Sequence, residues 1–236
     1  MNLPVVPYPG LAVHALAVTL PAPLGELPTP PWLLELLRVG APAPIATSEA
    51  VRTAIRDVLR AHGYRPTGRG KPSSEYLVAA VGDGRLGSIN AAVDAGNVVS
   101  LHAGVPISVV DRDLLRGSPR VDVPTAGSSY VFNRGGQTID VGGLVCLFDD
   151  EGPCANAVKD AQRTKTTPET RRVIAVVWGS EQPDPAHAAA TARWLREVFE
   201  RKSSVGATDA GEHTIEGNNC IPGVYCHRDL IAVVPQ

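Results

Sequence analysis

Residues 88–117, SINAAVDAGNVVSLHAGVPISVVDRDLLRG, carry few large surface-type side chains and mix apolar residues with polar ones that can be buried. The polar positions are Asn90, Asp94, Asn97, Ser100, His102, Ser108 and Asp111; the run holds no Lys, no Glu and no Arg before Arg112. A segment this apolar belongs inside, and interior polar groups need hydrogen-bond partners. The stretch is therefore an internal polar network or the wall of a pocket. Within it, residues 89–103 have helical spacing (Ile89, Val93, Gly96 or Asn97, Ser100, Leu101), and Gly104 and Pro106 end the helix.

The same reading applied along the chain predicts a buried strand at 11–20, bounded by Pro9-Gly10 and Pro21. A proline-rich loop at 21–31 and a short helix at 31–38 follow, Pro31 suiting a first helical turn. Residues 48–62 form an amphipathic helix with Val51, Ile55, Val58, Leu59 and His62 on its apolar stripe, Ser48 capping it and Gly63 ending it. Arg52, Arg56 and Arg60 make a second, basic stripe, which is either a solvated face or a phosphate contact. A basic loop at 64–72 leads to a helix at 73–81, with a Ser cap and Glu75 in its first turn. After Gly117 the pattern turns to strands at 120–123, 129–132 and 138–149, a polar loop at 150–170 and a strand at 172–178. A helix at 184–202, a Gly/Ser/Asn-rich stretch at 203–219 and a strand at 230–234 complete the chain. Helices cluster in the first half and strands in the second. That order predicts an α+β fold, a single compact domain with helices packed on a mixed or antiparallel sheet.

Composition narrows the partners. The chain has 236 residues, 44% hydrophobic and 19% charged, which is ample for a core. Its net charge of −2 supplies no global field, so nucleic acid would need a local basic patch. Basic residues are 18 Arg against 4 Lys. The N-terminus has no signal-peptide pattern and residues 11–20 are too short to span a bilayer, so the expectation is a cytoplasmic protein with reduced thiols and no membrane partner. There is no P-loop and no Gly-x-Ser-x-Gly elbow. Cys220 and Cys226 with His227 are the best metal cluster, but their spacing lacks a second pair, so neither metal nor cofactor is expected.

A second polar cluster lies in the loop 159–170, KDAQRTKTTPET, where Asp160, Arg163, Thr164, Thr166 and Thr170 crowd between strands. Singly, these residues could pair with each other or cap turns. Two such clusters in one small domain are more than turns require.

The two clusters resemble a known family. VDAGNVVSLHAGVPISVVDRDLLRG is similar to the motif of the tRNA-editing module in the β subunit of phenylalanyl-tRNA synthetase, an Asp-x-x-Asn pair, a Gly-x-Pro and an Asp, here Asp94, Asn97, Gly104, Pro106 and Asp111. The similarity continues through GGLVCLFDDEGP and DAQRTKTTPETRRVIAVV, while AIRDVLRAHGYRPTGRGKPSSEYL resembles the lead-in of freestanding versions. The recognisable core is 48–180, with an N-terminal strand and proline-rich loop at 1–47 and a C-terminal helix and strand at 181–236.

The resemblance implies an aminoacyl-tRNA deacylase that hydrolyses the ester of a mischarged tRNA in trans, with tRNA and not DNA as its partner. It implies that Asn97 and Ser108 orient water or carbonyl, with His102 as a candidate base. Asp160, Thr164 and Thr166, with Ser100 and Arg163, would bind the amino acid, Asp160, Arg163 and Thr164 standing in an Asp-x-x-Arg-Thr arrangement that freestanding relatives share. Acceptor-stem contact falls to Arg52, Arg56, Arg60, Arg65, Arg69 and Lys71. Asp94 and Asp111 read as scaffold. The chain also departs from the synthetase pattern: Gly96 replaces a Thr, Ser108 a His, and Val158-Lys159-Asp160-Ala161 a Gly-rich loop, and the tyrosine-reading acid falls near Val176. These departures argue against tyrosine editing on phenylalanine tRNA, and an acidic Asp160 suits a polar or cationic amino acid such as an arginine analogue. Ser108 in place of His favours the alternative, a non-catalytic binder of tRNA or an amino-acid-like ligand; a hydrolase of another ester or amide is a third reading.

Overall fold

Strand β9 (Arg172–Ser180) runs through the centre of the molecule, and all of its residues but Arg172 are buried. Successive side chains of a strand point to opposite faces, so a strand apolar throughout must be covered on both. Ile174, Val176 and Trp178 enter one hydrophobic core and Val173, Ala175 and Val177 the other. The computed structural model describes residues 2–201, 228–230 and 232–235.

β9 pairs antiparallel with β2 (Leu11–Thr19) along its whole length and, on its other edge, with β3 (Ile107–Asp111). With β10 (Arg228–Leu230) these make a four-stranded antiparallel sheet in the order β10-β2-β9-β3. A second, mixed sheet runs β11 (Ala232–Pro235), β1 (Asn2–Val5), β4 (Arg120–Asp122), β7 (Cys146–Asp149), β8 (Gly152–Asn156). β1 pairs parallel with both neighbours and the remaining pairs are antiparallel. The first core joins residues of the two sheets; the second lies where helices pack on the four-stranded sheet. A hairpin of β5 (Ser129–Val131) and β6 (Thr138–Asp140) forms a separate two-stranded ribbon. This is the expected α+β architecture. The first-half strand β2 sits inside the sheet, and one long helix, α5 (Pro185–Glu200), comes from the second half.

The other helices are α1 (Pro31–Leu36), α2 (Glu49–Arg60), α3 (Ser73–Gly82) and α4 (Ala91–Ala103). α2 buries Val51, Ala54, Ile55, Val58 and Leu59, and Ser48 accepts from Val51 N–H at its start. His62 falls beyond the helix end, is exposed, and lies against the Tyr8 ring, so it does not belong to the stripe. α3 is preceded by Pro72 without a side-chain cap, and its Glu75 is held by Arg56. α4 begins at Asn90, whose side chain accepts from Val93 N–H, and ends at Gly104 with φ +73°. A β-carbon at Gly104 would overlap Thr47, which explains why the chain turns there on glycine.

Three segments differ from the sequence reading. Residues 107–111 form β3 immediately after the α4 cap. The predicted strand 138–149 is two strands, β6 and β7, separated at 141–145 by a turn that uses Gly143 at φ +74°. The predicted loop 150–170 contains β8 and a 3-10 turn at Gln162–Thr164. The stretch 203–219 and Cys220, Cys226 and His227 lie outside the described residues.

Candidate functional site

α4 is buried along nearly its whole circumference: only Val93 and Asn97 among its thirteen residues escape burial. They are four apart and share a face. Both line a pocket of about 500 Å³ enclosed by α3, α4, β3, the loop after β8 and Phe132 of the hairpin. The loop contributes Lys159, Asp160, Lys165 and Thr166 to the same pocket. The two polar clusters of the sequence thus meet in one cavity. Gly96, where the synthetase motif has Thr, permits the approach of α4 to β3, since a β-carbon there would stand 2.8 Å from Val109 Cγ2.

A buried scaffold holds the loop. Asn156 Oδ1 accepts from the backbone N–H of Val158 and Lys159, at 2.7 and 3.0 Å, and its amide donates to the Tyr130 hydroxyl. Tyr130 in turn donates to Lys159 O. Ser108 on β3 sits behind the pocket with its hydroxyl committed: it accepts from Trp178 Nε1 at 2.9 Å and donates to Asp160 Oδ1 at 2.7 Å. The N–H of Asn156 also reaches that oxygen, at 3.3 Å. Burial pushes the Asp160 carboxyl up to about 6, while the Ser108 and Asn156 bonds and the charge of Lys165 hold it from rising further. Asp160 is therefore ionised at neutral pH and titrates just below it.

Thr166 accepts from Asn90 Nδ2 at 3.1 Å, so the residue that caps α4 also holds the loop. Lys165 pairs by its backbone with Val110 of β3 and donates its ammonium to Phe132 O at 2.6 Å. Lys159 places its ammonium 4.3 Å from the Phe132 ring centroid. Burial lowers the pKa of both lysines. The Asn97 amide is half-buried in the pocket lining and makes no hydrogen bond to another described residue.

Other expected site residues lie elsewhere. His102 stands five residues beyond Asn97, about 140° round the helix. Its Nε2–H donates to Leu36 O at 2.8 Å, and it lines a different cavity of about 450 Å³, so it cannot serve as a base in the Asn97 pocket. Ser100 is buried with its hydroxyl unpartnered among the described residues, and is not part of the pocket lining. Arg163 makes a two-pronged ion pair with the buried Asp149, both bonds 2.7 Å. Thr164 is fully buried and donates to Cys154 O. These two motif residues build the scaffold and do not line the pocket. Asp94 accepts from Thr29, Ser88 and Ile89 N–H, and Asp111 from Thr170 and Asp113 N–H.

The basic candidates also divide. Arg56 is bound to Glu75 by two bonds of 2.6 Å, Arg60 to Asp57 at 2.7 Å, and Arg52 lies 3.7 Å from Glu49. Each arginine of the α2 stripe thus has a carboxylate neighbour within the chain, closely held in the Arg56–Glu75 pair and exposed in the other two. Arg65 and Arg69 instead line a groove of about 590 Å³ that shares Phe132 and Lys159 with the pocket; Lys71 is exposed beside them in sequence.

A family model described as the B3/4 domain matches residues 63–208, more than half of the chain and the whole of the pocket. The chain belongs to the B3/4 domain family. A solved N-terminal fragment of the phenylalanyl-tRNA synthetase β-subunit from Pyrococcus horikoshii is similar at 9% identity, with a TM-score of 0.46. The alignment covers 84% of this chain and 48% of that fragment, so the chain spans about half its length. No curated protein matches the sequence.

Several residues of this B3/4 domain that shape the pocket escaped the sequence reading: Lys159, Lys165, Asn156, Tyr130 and Trp178. One signal for the lysines was present. In a chain with 18 Arg, two of the four Lys flank Asp160 within seven residues. No comparable signal marks Asn156 or Trp178, whose partners are distant in sequence. Among the described residues no helix is long and apolar enough to cross a membrane, and no three His, Cys, Asp or Glu side chains group as metal ligands.

Proposed function

We propose that this chain is a trans-acting deacylase that hydrolyses the ester of a mischarged tRNA. The observation that carries the reading is the meeting in one pocket of an unengaged amide, Asn97, with a carboxylate, Asp160, whose pKa is raised to about 6. The similarity of the Asp94–Asp111 and 159–167 segments to the synthetase editing motif supports it. An aminoacyl ester is already activated, so hydrolysis needs a held carbonyl and a placed water, not a covalent nucleophile. In this reading the Asn97 amide holds the carbonyl, with the Thr166 hydroxyl beside it. Water adds to the carbonyl carbon and its proton passes to Asp160; the C–O bond to the ribose breaks, and Asp160 returns the proton to the ribose hydroxyl. A carboxylate near 6 is a stronger base than an ordinary one and remains ionised at neutral pH. Ser108 acts as a positioning residue through its bond to Asp160, so its replacement of a histidine does not remove the base from the site.

Arg65 and Arg69, in the groove that adjoins the pocket, are the cations suited to the phosphates next to the ester, and Lys71 extends the same loop. Phosphate contact of this kind gives salt-dependent affinity without sequence reading. Asp160 alone suggested a polar or cationic amino acid such as an arginine analogue; Lys159 and Lys165 in the same pocket oppose a further positive charge. The experiment is ester loss from a panel of misacylated tRNAs, with and without the protein. Faster loss for at least one is expected. Loss of none above the uncatalysed rate rejects the deacylase, and binding without cleavage would leave a tRNA-binding protein on this fold.

A further inference from the structure

α3 is an apolar helix, SSEYLVAAVG, yet its only buried residue is Ser74. A helix with this composition ordinarily lays an apolar face on a core. Here Leu77 and Ala80 face the candidate pocket instead, where Leu86, Val93, Ile107 and Val109 continue the wall. Of these, only Val109 is buried; the others keep accessible surface. The pocket is therefore divided by origin. The loop after β8 supplies Lys159, Asp160, Lys165 and Thr166, and Asn97 completes the polar side, while α3, β3 and the first turn of α4 supply mainly aliphatic surface, with Ser73 at the start of α3 the polar exception beside Tyr76. Tyr76, which also lines the pocket, has its hydroxyl committed to Gly68 O at 2.6 Å, so it is not free to read a polar group.

We propose that the amino acid accepted by this pocket carries an uncharged aliphatic side chain, which docks between α3 and β3 while its ester and amino group face Asn97 and the loop. The proposal rests on the deacylase reading for the ligand being an aminoacyl ester. A cationic side chain would meet the two lysines. A carboxylate side chain directed at α3 would be largely desolvated against aliphatic groups, with the Ser73 hydroxyl as its only uncommitted donor on that wall among the described residues. An aliphatic side chain covers surface that α3 otherwise leaves to water. A cavity of about 500 Å³ falls within the range of small-ligand sites.

Two measurements test this. The first is the rate of ester loss from tRNAs charged with valine, isoleucine or leucine against arginine, lysine, aspartate, glutamate or serine. The aliphatic esters should be cleaved roughly 10-fold faster or more, the lower bound of what side-chain pockets discriminate. Faster cleavage of a charged amino acid overturns the proposal and leaves the deacylase standing. The second is calorimetric binding of non-hydrolysable 3′-amide adenosines carrying valyl, arginyl or aspartyl groups. Preferential valyl binding without cleavage of any tRNA would keep the side-chain assignment and reject the deacylase. Binding of none, together with cleavage of no tRNA, rejects both. Leu77→Asp, on the half-buried wall of α3, should abolish the aliphatic preference with its melting midpoint retained; an unchanged preference would show that α3 is not the side-chain subsite.

Discussion

Asp160→Asn separates the energetic signature of a working carboxylate from that of a structural one. The side chains are nearly isosteric, and the amide keeps an acceptor oxygen for Ser108 and the Asn156 N–H. What it removes is a charge held against burial. The carboxyl titrates at 3.8 in an exposed setting and at about 6 in the folded chain. Two units at about 1.4 kcal/mol each amount to ~3 kcal/mol by which the ionised group opposes folding. The folded chain holds the proton more tightly than the unfolded one. Stability of the parent therefore falls as pH rises from about 4 to about 6, and the full cost persists above that. The variant does not titrate there. In urea denaturation, Asp160→Asn should match the parent near pH 4 and exceed it by ~1–3 kcal/mol at pH 7.5, the weaker neutral hydrogen bonds taking back part of the gain. Turnover of the aminoacyl ester should fall by roughly 10²–10⁴-fold with loss of the base. A variant less stable than the parent at pH 7.5, or a difference that does not change with pH, would refute the reasoning and make Asp160 an ordinary scaffold carboxylate.

Asn97→Ala should abolish ester hydrolysis while changing unfolding free energy by less than ~1–2 kcal/mol, because its amide supports no other described group; a large loss of stability would place it in the core network. Arg163→Ala should cost ~1–3 kcal/mol in chemical denaturation, since it leaves the buried Asp149 carboxylate with only the N–H groups of Arg116 and Glu151. Burial alone would raise Asp149, but the Arg163 pair and the N–H groups of Arg116 and Glu151 outweigh it and hold the carboxyl below the usual range. The stability this pair contributes is present above the ordinary carboxylate pKa and should be lost as pH falls through the lower folded value, a dependence that Arg163→Ala would diminish. Gly96→Thr, which restores the synthetase residue, should destabilise by ~1–3 kcal/mol and narrow the pocket, because its β-carbon meets Val109 Cγ2 at 2.8 Å; a neutral effect on melting would show that α4 and β3 separate freely.

The elements most legible in the sequence were those whose apolar spacing matched one period. α2 and its Ser48 cap, β2, β9 and α5 all fall within a few residues of their predicted bounds. Short apolar runs were not legible in the same way. ISVVD at 107–111 fits a strand or the approach to a turn equally well, and only its pairing with β9 makes it a strand. GPCAN at 152–156 carries loop-forming Gly and Pro, yet Cys154 and Ala155 bury against the first core beside β7. Motif membership also misled at single positions. Arg163 and Thr164 belong to the same short motif as Asp160, but a 3-10 turn directs them into the scaffold.

The sequence by itself determined the α+β class, the bounds of the long helices and strands, and the two polar segments in which chemistry could reside. Local spacing and capping suffice for these, because each depends on neighbours within a few residues. The tertiary structure decided which polar groups share a cavity. Asn97 and Asp160 are 63 positions apart, and their meeting depends on β3 taking the edge of β9 and on Gly96 admitting the strand. It also decided that His102 faces another cavity and that the α2 arginines are paired. The character of the pocket arose in the same way. The raised pKa of Asp160 comes from burial among groups distant in the chain, a property of the packed site that one-dimensional order does not contain.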